Sequence, residues 1–157
     1  MKEAIELRLA EIKDAAAIRR LTREAYSKWV QAIGREPYPM TADYEGAVLN
    51  HRFDLLYVGG ILAALIETVD EGHQLLVENV AVSPDFQRRG LGSKLMAQAE
   101  KIALSLGHRR IWLYTNDRFT GNVQLYTRLG YCVVSEEEID GGMNRVNMSK
   151  ELVIAPR

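Results

Sequence analysis

The sequence predicts a single domain of mixed α/β class, and three observations carry that prediction. Segments that alternate apolar and polar residues, the mark of strands, recur between segments whose apolar residues return every three to four positions, the mark of helices. Glycine and proline turns separate them, with no internal repeat, low-complexity run or obvious linker. The 157 residues suffice for one domain with a respectable core and are cramped for two.

Taken in order, Ile5, Leu7 and Leu9 alternate with Glu6 and Arg8, which predicts a half-buried first strand. Asp14 stands at an N-cap position, and Ile18, Leu21, Ala25 and Trp29 follow at the spacing of one helix face. The stretch GREPYPM ends that helix, because a residue preceding proline is pushed out of the helical region. Thr41 and Asp43 can start a short second helix through DYEGAVL. DLLYVGGILAALIETV reads as two strands around Gly59-Gly60, a turn pair suited to positive φ. QLLVENVAV is another strand. From Leu91 a helix runs with Leu91, Leu95, Ala99, Ile102, Ala103 and Leu106 on one side, Lys94, Gln98, Lys101 and Ser105 opposite, and Gly107 past its end. RRIWLYT is the next strand, TGNVQLYTRLG a short helix closed by Gly130, and YCVVSEEEI with NRVNMSKEL a final hairpin across DGGM. The order is β-α-α-β-β-β-α-β-α-β-β.

Composition narrows the function classes. The chain is 47% hydrophobic and 26% charged, as in ordinary globular proteins. A formal net charge of -1 argues against nucleic acid as the main partner. No apolar run approaches the length of a membrane span, and MKEAIELRLAE lacks the apolar core of a signal peptide, so the expected location is the cytoplasm and no membrane partner is expected. The one cysteine, Cys132, precludes an internal disulfide and fits a reducing compartment; its place in an apolar strand predicts a buried, inert thiol.

The stretch SPDFQRRGLGSKL holds the strongest functional signal. It puts Gln87, Arg88, Arg89, Gly90, Leu91, Gly92 and Ser93 at the mouth of a long helix. A helix start is electropositive, its first amides lack acceptors, and glycines let backbone approach a ligand, so this is a socket for an anion, most naturally phosphate. A P-loop would have Gly-Lys-Ser/Thr after the second glycine, whereas Ser93-Lys94 come in reversed order. A dinucleotide fingerprint would have a third glycine where Leu95 stands, although Asp117 could imitate its distal acid.

Gln87-x-x-Gly90-x-Gly92, after a strand and opening a helix, resembles the pyrophosphate loop of the GNAT superfamily of N-acetyltransferases. ENVAVSPDFQRRGLG also resembles that family's preceding strand, and NVQLYTRLGY its second cofactor segment. The resemblance implies one domain over residues 3–153, with a mostly antiparallel sheet of about seven strands flanked by about four helices. It implies acetyl-CoA as co-substrate, its pyrophosphate on the amides of the loop, and a small-molecule or peptide amine as acceptor. It implies that the backbone of Val80, Ala81 and Val82 meets the pantetheine and the thioester carbonyl, with the Val80 amide nearest the thioester. Arg88 and Arg89 are candidates to neutralise phosphate charge. Asn122 matches a cofactor-contacting asparagine of close relatives, while the wider family pattern has asparagine where Phe119 stands. A homodimer is implied by the resemblance alone.

Acetyl transfer to an amine has two proton problems. A lysine-type amine titrates near about 10.4 and arrives protonated, and a thiolate with a reference pKa of about 8.5 leaves better when protonated. For the acid the resemblance points to Tyr126. For the base, strand alternation puts Glu78 on one face with Val80 and Val82, and a carboxylate in an apolar strand is costly unless paired or open to a cleft. Glu67 and His73 are weaker alternatives, read as a strand-end acid and a loop histidine. His51, His73 and His108 lack metal-ligand spacing, so no metal is expected. The acceptor region is read as IGREPYPMTADY with EEEIDGGMNR, lined by Tyr38, Met40 and Tyr44, with Glu136 to Glu138 as an acidic run. A CoA- or nucleotide-binding sensor without turnover and a small Rossmann-like protein are the rival readings.

Overall fold

A computed structural model describes residues 3–153. Seven strands form one sheet: β1 (Ile5–Leu9), β2 (Arg52–Val58), β3 (Ile61–Asp70), β4 (Leu75–Val82), β5 (Arg110–Asn116), β6 (Cys132–Ile139) and β7 (Met143–Glu151), in the order β1-β2-β3-β4-β5-β7-β6. Every neighbouring pair is antiparallel except β4–β5. A Rossmann-like sheet would be mostly parallel, whereas one pair of six is parallel here, so that rival is excluded. The helices are α1 (Ala15–Tyr26), α2 (Val30–Ile33), α3 (Tyr38–Thr41), α4 (Tyr44–Asn50), α5 (Leu91–Ser105) and α6 (Asn122–Arg128), where α2 and α3 are single turns the sequence did not foretell.

The local chemistry explains most boundaries. Gly59 and Gly60 take φ of 57° and 81°, the paired positive values of the tight turn joining β2 to β3. Gly34 ends α2 in left-handed conformation at φ 75°. Asp43 caps α4 by accepting from the Gly46 amide at 3.2 Å. Asp14 differs from expectation. A 3₁₀ turn over Ile12–Asp14 starts the helical path early, so the Asp14 carboxylate bonds back to the Glu11 amide at 2.7 Å instead of capping α1 forward.

Two apolar clusters sandwich the sheet. On one face Leu91, Leu95, Met96, Ala99, Ile102 and Ala103 of α5 pack on Leu56, Ala64, Ile66, Val77, Ile111 and Leu113. On the other, Ala15, Ile18, Leu21 and Ala25 of α1, with Tyr44, pack on Phe53, Leu55, Leu65 and Ala81. Leu106, expected in the α5 stripe, is exposed because the helix has ended before it. Both helices lie over the central strands, chiefly β3 and β4. The edges are therefore bare. All five residues of β1 are exposed, against the expected half-burial, and Cys132 of β6 is exposed instead of buried. Among the described residues, no helix is long and apolar enough to cross a membrane.

Candidate active site

The site opens where β4 leaves β5. These strands pair only at Leu75–Ile111, Leu76–Trp112 and Val77–Leu113. At that point β4 bulges: Glu67 of β3 faces Asn79 while Thr68 faces Val77, leaving Glu78 as the extra residue. The bulge reverses the alternation of β4. Val77 before it and Val80 and Val82 after it all pack toward α5, whereas Ala81 packs toward α1. The expected sharing of one face by Glu78, Val80 and Val82 is thus overturned. The Glu78 carboxylate turns the other way, beside Glu67 and Asn79, and accepts from the Tyr114 hydroxyl at 2.5 Å.

Two cavities meet in the split. A groove of about 310 Å³ runs along Val80, Val82, Gln87, Arg88, Gly90, Leu91, Gly92 and Ser93. A pocket of about 210 Å³ lies on the other side, walled by Glu78, Tyr114, Arg145 and, from one segment, Arg35, Pro37, Tyr38 and Pro39. Tyr26, Val80, Asn122 and Tyr126 line both. A molecule laid along the groove and one seated in the pocket would therefore touch at these four residues.

The groove's loop has the backbone of an anion receptor. Arg88 and Gly90 are left-handed, with φ of 65° and 74°, and such alternation turns successive amides toward one point. A non-glycine residue in that conformation is uncommon, and such strain gathers at functional sites. Among the described residues, no amide from Gln87 to Ser93 donates to a protein acceptor; the α5 ladder begins with Lys94 donating to Gly90 at 3.1 Å. A Cβ on Gly92 would meet only Val82 Cγ2 at 4.0 Å, so internal packing does not demand a glycine there. The space kept clear is the groove itself. These features fit a diphosphate. Arg88 lines the groove, whereas the Arg89 guanidinium lies over the Phe86 ring at 5.0 Å and near Glu3 at 3.7 Å, and Arg89 is not part of the lining. The Ala81 side chain is buried on the α1 face and lines neither cavity.

Three phenols differ in what holds them. Tyr26 donates to Asn79 Oδ1 at 2.9 Å and lies 3.3 Å from the Val80 carbonyl, which therefore points into the split; the Val80 amide shares that edge of the strand. Tyr114 is committed to Glu78. Tyr126 stands edge-on to Tyr131 at 6.2 Å, and among the described residues its hydroxyl has no hydrogen-bond partner. Burial pushes the Tyr126 phenol up to about 12, so it keeps its proton through the neutral range. Asn122 donates to Thr115 Oγ1 at 3.2 Å, and Phe119 stacks on Trp29 at 5.0 Å.

Several expectations change in the structure, and further residues join the site. Glu67 is buried within β3, not at a strand end, and its carboxylate meets His51 Nδ1 at 2.6 Å. Burial pushes its pKa up, against the pull of His51. His73 stays in an exposed loop. Met40 and Tyr44 turn into the core, leaving Tyr38 to reach the pocket. Glu136 to Glu138 are exposed and line neither cavity. Lys28 and Trp29 line the groove, and Tyr114 and Arg145 the pocket. Strand periodicity in RRIWLYT could have flagged Tyr114; Arg145 closes the EEEIDGGMNR stretch expected to face the acceptor, although nothing local singles it out there. Among the described residues, no group of three His, Cys, Asp or Glu is arranged to hold a metal.

Comparison with known proteins agrees with this architecture. The S-(2-succino)cysteine N-acetyltransferase of Bacillus subtilis is 29% identical over 157 residues, covering 92% of this chain and 94% of that protein. N-alpha-acetyltransferase 80 of Mus musculus is 39% identical over 69 residues, but these make up 44% of this chain and only 21% of the mouse protein. In fold, the PaiA N-acetyltransferase of Thermoplasma acidophilum, solved in complex with coenzyme A, matches with a TM-score of 0.80 at 20% identity over 94% of this chain and 99% of its own. The ribosomal-protein-S18-alanine N-acetyltransferase of Escherichia coli matches with a TM-score of 0.75 at 20% identity, over 98% and 97%. The pattern of the Acetyltransferase (GNAT) family matches residues 13–131, from the entry to α1 through the groove to the end of α6, and with the split sheet and free-amide loop in place the chain belongs to that family.

Proposed function

We propose that this chain transfers the acetyl group of acetyl-CoA directly to a primary amine, with both substrates bound at once. One observation carries the reading: the loop-side groove and the carboxylate-bearing pocket share Tyr26, Val80, Asn122 and Tyr126, so two substrates can meet without an enzyme-bound acetyl group. Cys132, the single thiol, lines neither cavity, which agrees with direct transfer.

The amides from Gln87 to Ser93 would hold the diphosphate, with Arg88 adding charge, and the Val80 to Val82 backbone would hold the pantetheine. The co-substrate supplies an acyl thioester. Glu78, oriented by Tyr114, takes the proton from the incoming ammonium, directly or through one water. The freed nitrogen lone pair forms the N–C bond at the acyl carbon. The Val80 amide faces the carbonyl oxygen as negative charge gathers there. As the C–S bond breaks, the departing sulfur keeps the electron pair and Tyr126 gives it a proton. Tyr26 is ill placed for that role, because its proton is already committed to Asn79.

The test is an amine panel with acetyl-CoA, following free CoA thiol. Amine-dependent thiol release with an acetylated product supports the reading. Acetyl-CoA binding, seen as a raised Tm, without release for any amine would favour the silent sensor.

A further inference from the structure

The pocket that would receive the amine carries a positive charge as well as a negative one. Three charged side chains line it: Glu78 from β4, Arg145 from β7 and Arg35 from the segment between α2 and α3. Arg35 is exposed at the mouth and lies 3.6 Å from Asp140, which is itself outside the lining. Arg145 is different. It is half-buried, its Nε donates to Asn147 Oδ1 at 3.1 Å, and its guanidinium carbon sits 4.0 Å from the centre of the Tyr114 ring. Among the described residues, its two terminal nitrogens have no acceptor and no carboxylate lies within ion-pair distance.

Tyr114 thus fixes two opposite charges along one wall. Its ring face carries the Arg145 guanidinium and its hydroxyl holds the Glu78 carboxylate. With its carbon over the ring and its Nε committed to Asn147, the guanidinium of this pocket-lining residue keeps its two terminal nitrogens, a two-point pair of N–H donors, for a ligand. That pair matches a carboxylate in two-point contact. A polyamine or any amine bearing further positive charge would meet Arg145 as a repulsive wall. The cavity, about 210 Å³, is smaller than the range of drug-sized sites and suits a molecule of a few non-hydrogen atoms.

We propose that the acceptor is a small zwitterion of the amino-acid type, its ammonium at Glu78 and its carboxylate on Arg145. The proposal rests on the acetyl-transfer reading and narrows it: Arg145 is the specificity residue, binding the substrate's acid while taking no part in proton transfer. Protein N-termini, whose α-carboxyl is consumed in the peptide bond, and lysine side chains would lack the second anchor.

The experiment compares each L-amino acid with its carboxamide and its decarboxylated amine, using the full chain, acetyl-CoA and thiol release. The acid should exceed both counterparts in kcat/KM by about 10²-fold, carried mainly by KM. Arg145→Gln should bring the acid down to the level of the amide, while acetyl-CoA still raises the variant's Tm. Arg145→Lys should restore part of the preference, because an ammonium keeps the charge but not the fork. Amides or amines used as well as the acids would overturn the proposal and leave acetyl transfer standing. So would a preference for acids that survives Arg145→Gln. If no amine is turned over, transfer itself fails and binding decides. Amino acids that raise the Tm of the CoA-bound wild type but not of Arg145→Gln would uphold the anion site; no shift in either would end it. If Arg145→Gln does not fold, the comparison of acid with amide in the wild type is decisive alone.

Discussion

The loop from Gln87 to Ser93 and the pocket beside it are built on opposite plans. The loop is one contiguous stretch that presents backbone amides, freed by left-handed residues and the start of α5. The pocket presents side chains drawn from α1, α2, α3, β4, β5, α6, β6 and β7 and from the segments between them. A backbone site is insensitive to most side chains around it and depends on empty space. A side-chain site depends on every contributor and on the register that aims it. The loop therefore suits the part of the chemistry that stays constant, and the pocket the part that discriminates.

Substitutions can break this contrast. The largest loss should come from the pocket. Glu78→Gln is expected to lower kcat by about 10²–10³-fold, the scale of a lost general base, while acetyl-CoA still raises the Tm. A kcat within threefold of wild type, in steady-state assays at saturating amine, would remove Glu78 from that role. Tyr114→Phe should cost less, about tenfold, because the carboxylate stays but loses its orienting hydroxyl.

The loop should respond in KM instead. Gly92→Val puts a branched side chain where only Val82 lies near, so the fold is retained while the groove is blocked; KM for acetyl-CoA should rise on the order of 10²-fold. Arg88→Ala should raise it about tenfold, and Arg89→Ala far less, since its guanidinium rests over Phe86. Equal effects of the two arginines would mean that the Arg89 side chain swings to the groove when the diphosphate binds. Titration of retained acetyl-CoA separates these cases.

Tyr126 belongs to both cavities and sharpens the contrast. Tyr126→Phe should lower kcat about 10–100-fold, at the low end for an acid because a thiolate is already a fair leaving group. Its KM for acetyl-CoA should stay near wild type. The phenol is held up to about 12 by burial, so no downturn of kcat from its ionisation is expected below pH 10. A wild-type profile falling between pH 8 and 9, with the fall absent in Tyr126→Phe, would contradict that environment.

How much could be read from the sequence follows the same division. The loop was legible because its chemistry is local: glycines, arginines and a helix start are neighbours in the chain. The order of strands and helices was legible for the same reason, down to the Gly59-Gly60 turn. What failed depended on partners. Alternation in β1 and the apolar start of β6 each suggest burial, yet only strand order decides that both lie at uncovered edges, which is why Leu7 and Cys132 are exposed. Glu78 was found as a carboxylate in an apolar strand, but its direction is set by a bulge that exists only in the pairing with β3. Arg145 closes the EEEIDGGMNR stretch and Glu67 stands among the candidate bases, but the contact of Arg145 with Tyr114 and the pairing of Glu67 with His51 join residues distant in sequence, so no periodicity announces them.

The smallest expected effect lies outside both regions. Asp14 ties the start of α1 to the sheet: its carboxylate accepts from Arg8 at 3.1 and 3.2 Å and from the Glu11 amide at 2.7 Å, and Arg8 also donates to Tyr57 at 2.5 Å. Burial works against the charged carboxylate, yet Arg8 and the Glu11 amide prevail and hold its pKa below the ordinary value. A depressed carboxyl stabilises the fold above its unfolded pKa, and that contribution is lost as pH falls through the folded value. Asp14→Asn should therefore cost about 1 kcal/mol at neutral pH, the scale of one lost cap, because the partly exposed Arg8 is screened by water. For a chain of this length that is about 2–4 °C in Tm. In strong acid the wild type loses the same interaction, so the two melting curves should converge as pH drops. Since α1 ends in Tyr26, a fall in kcat larger than the loss of folded protein would show that the far end of the helix is positioned from its start, and the division between scaffold and site would then be less sharp than the two cavities imply.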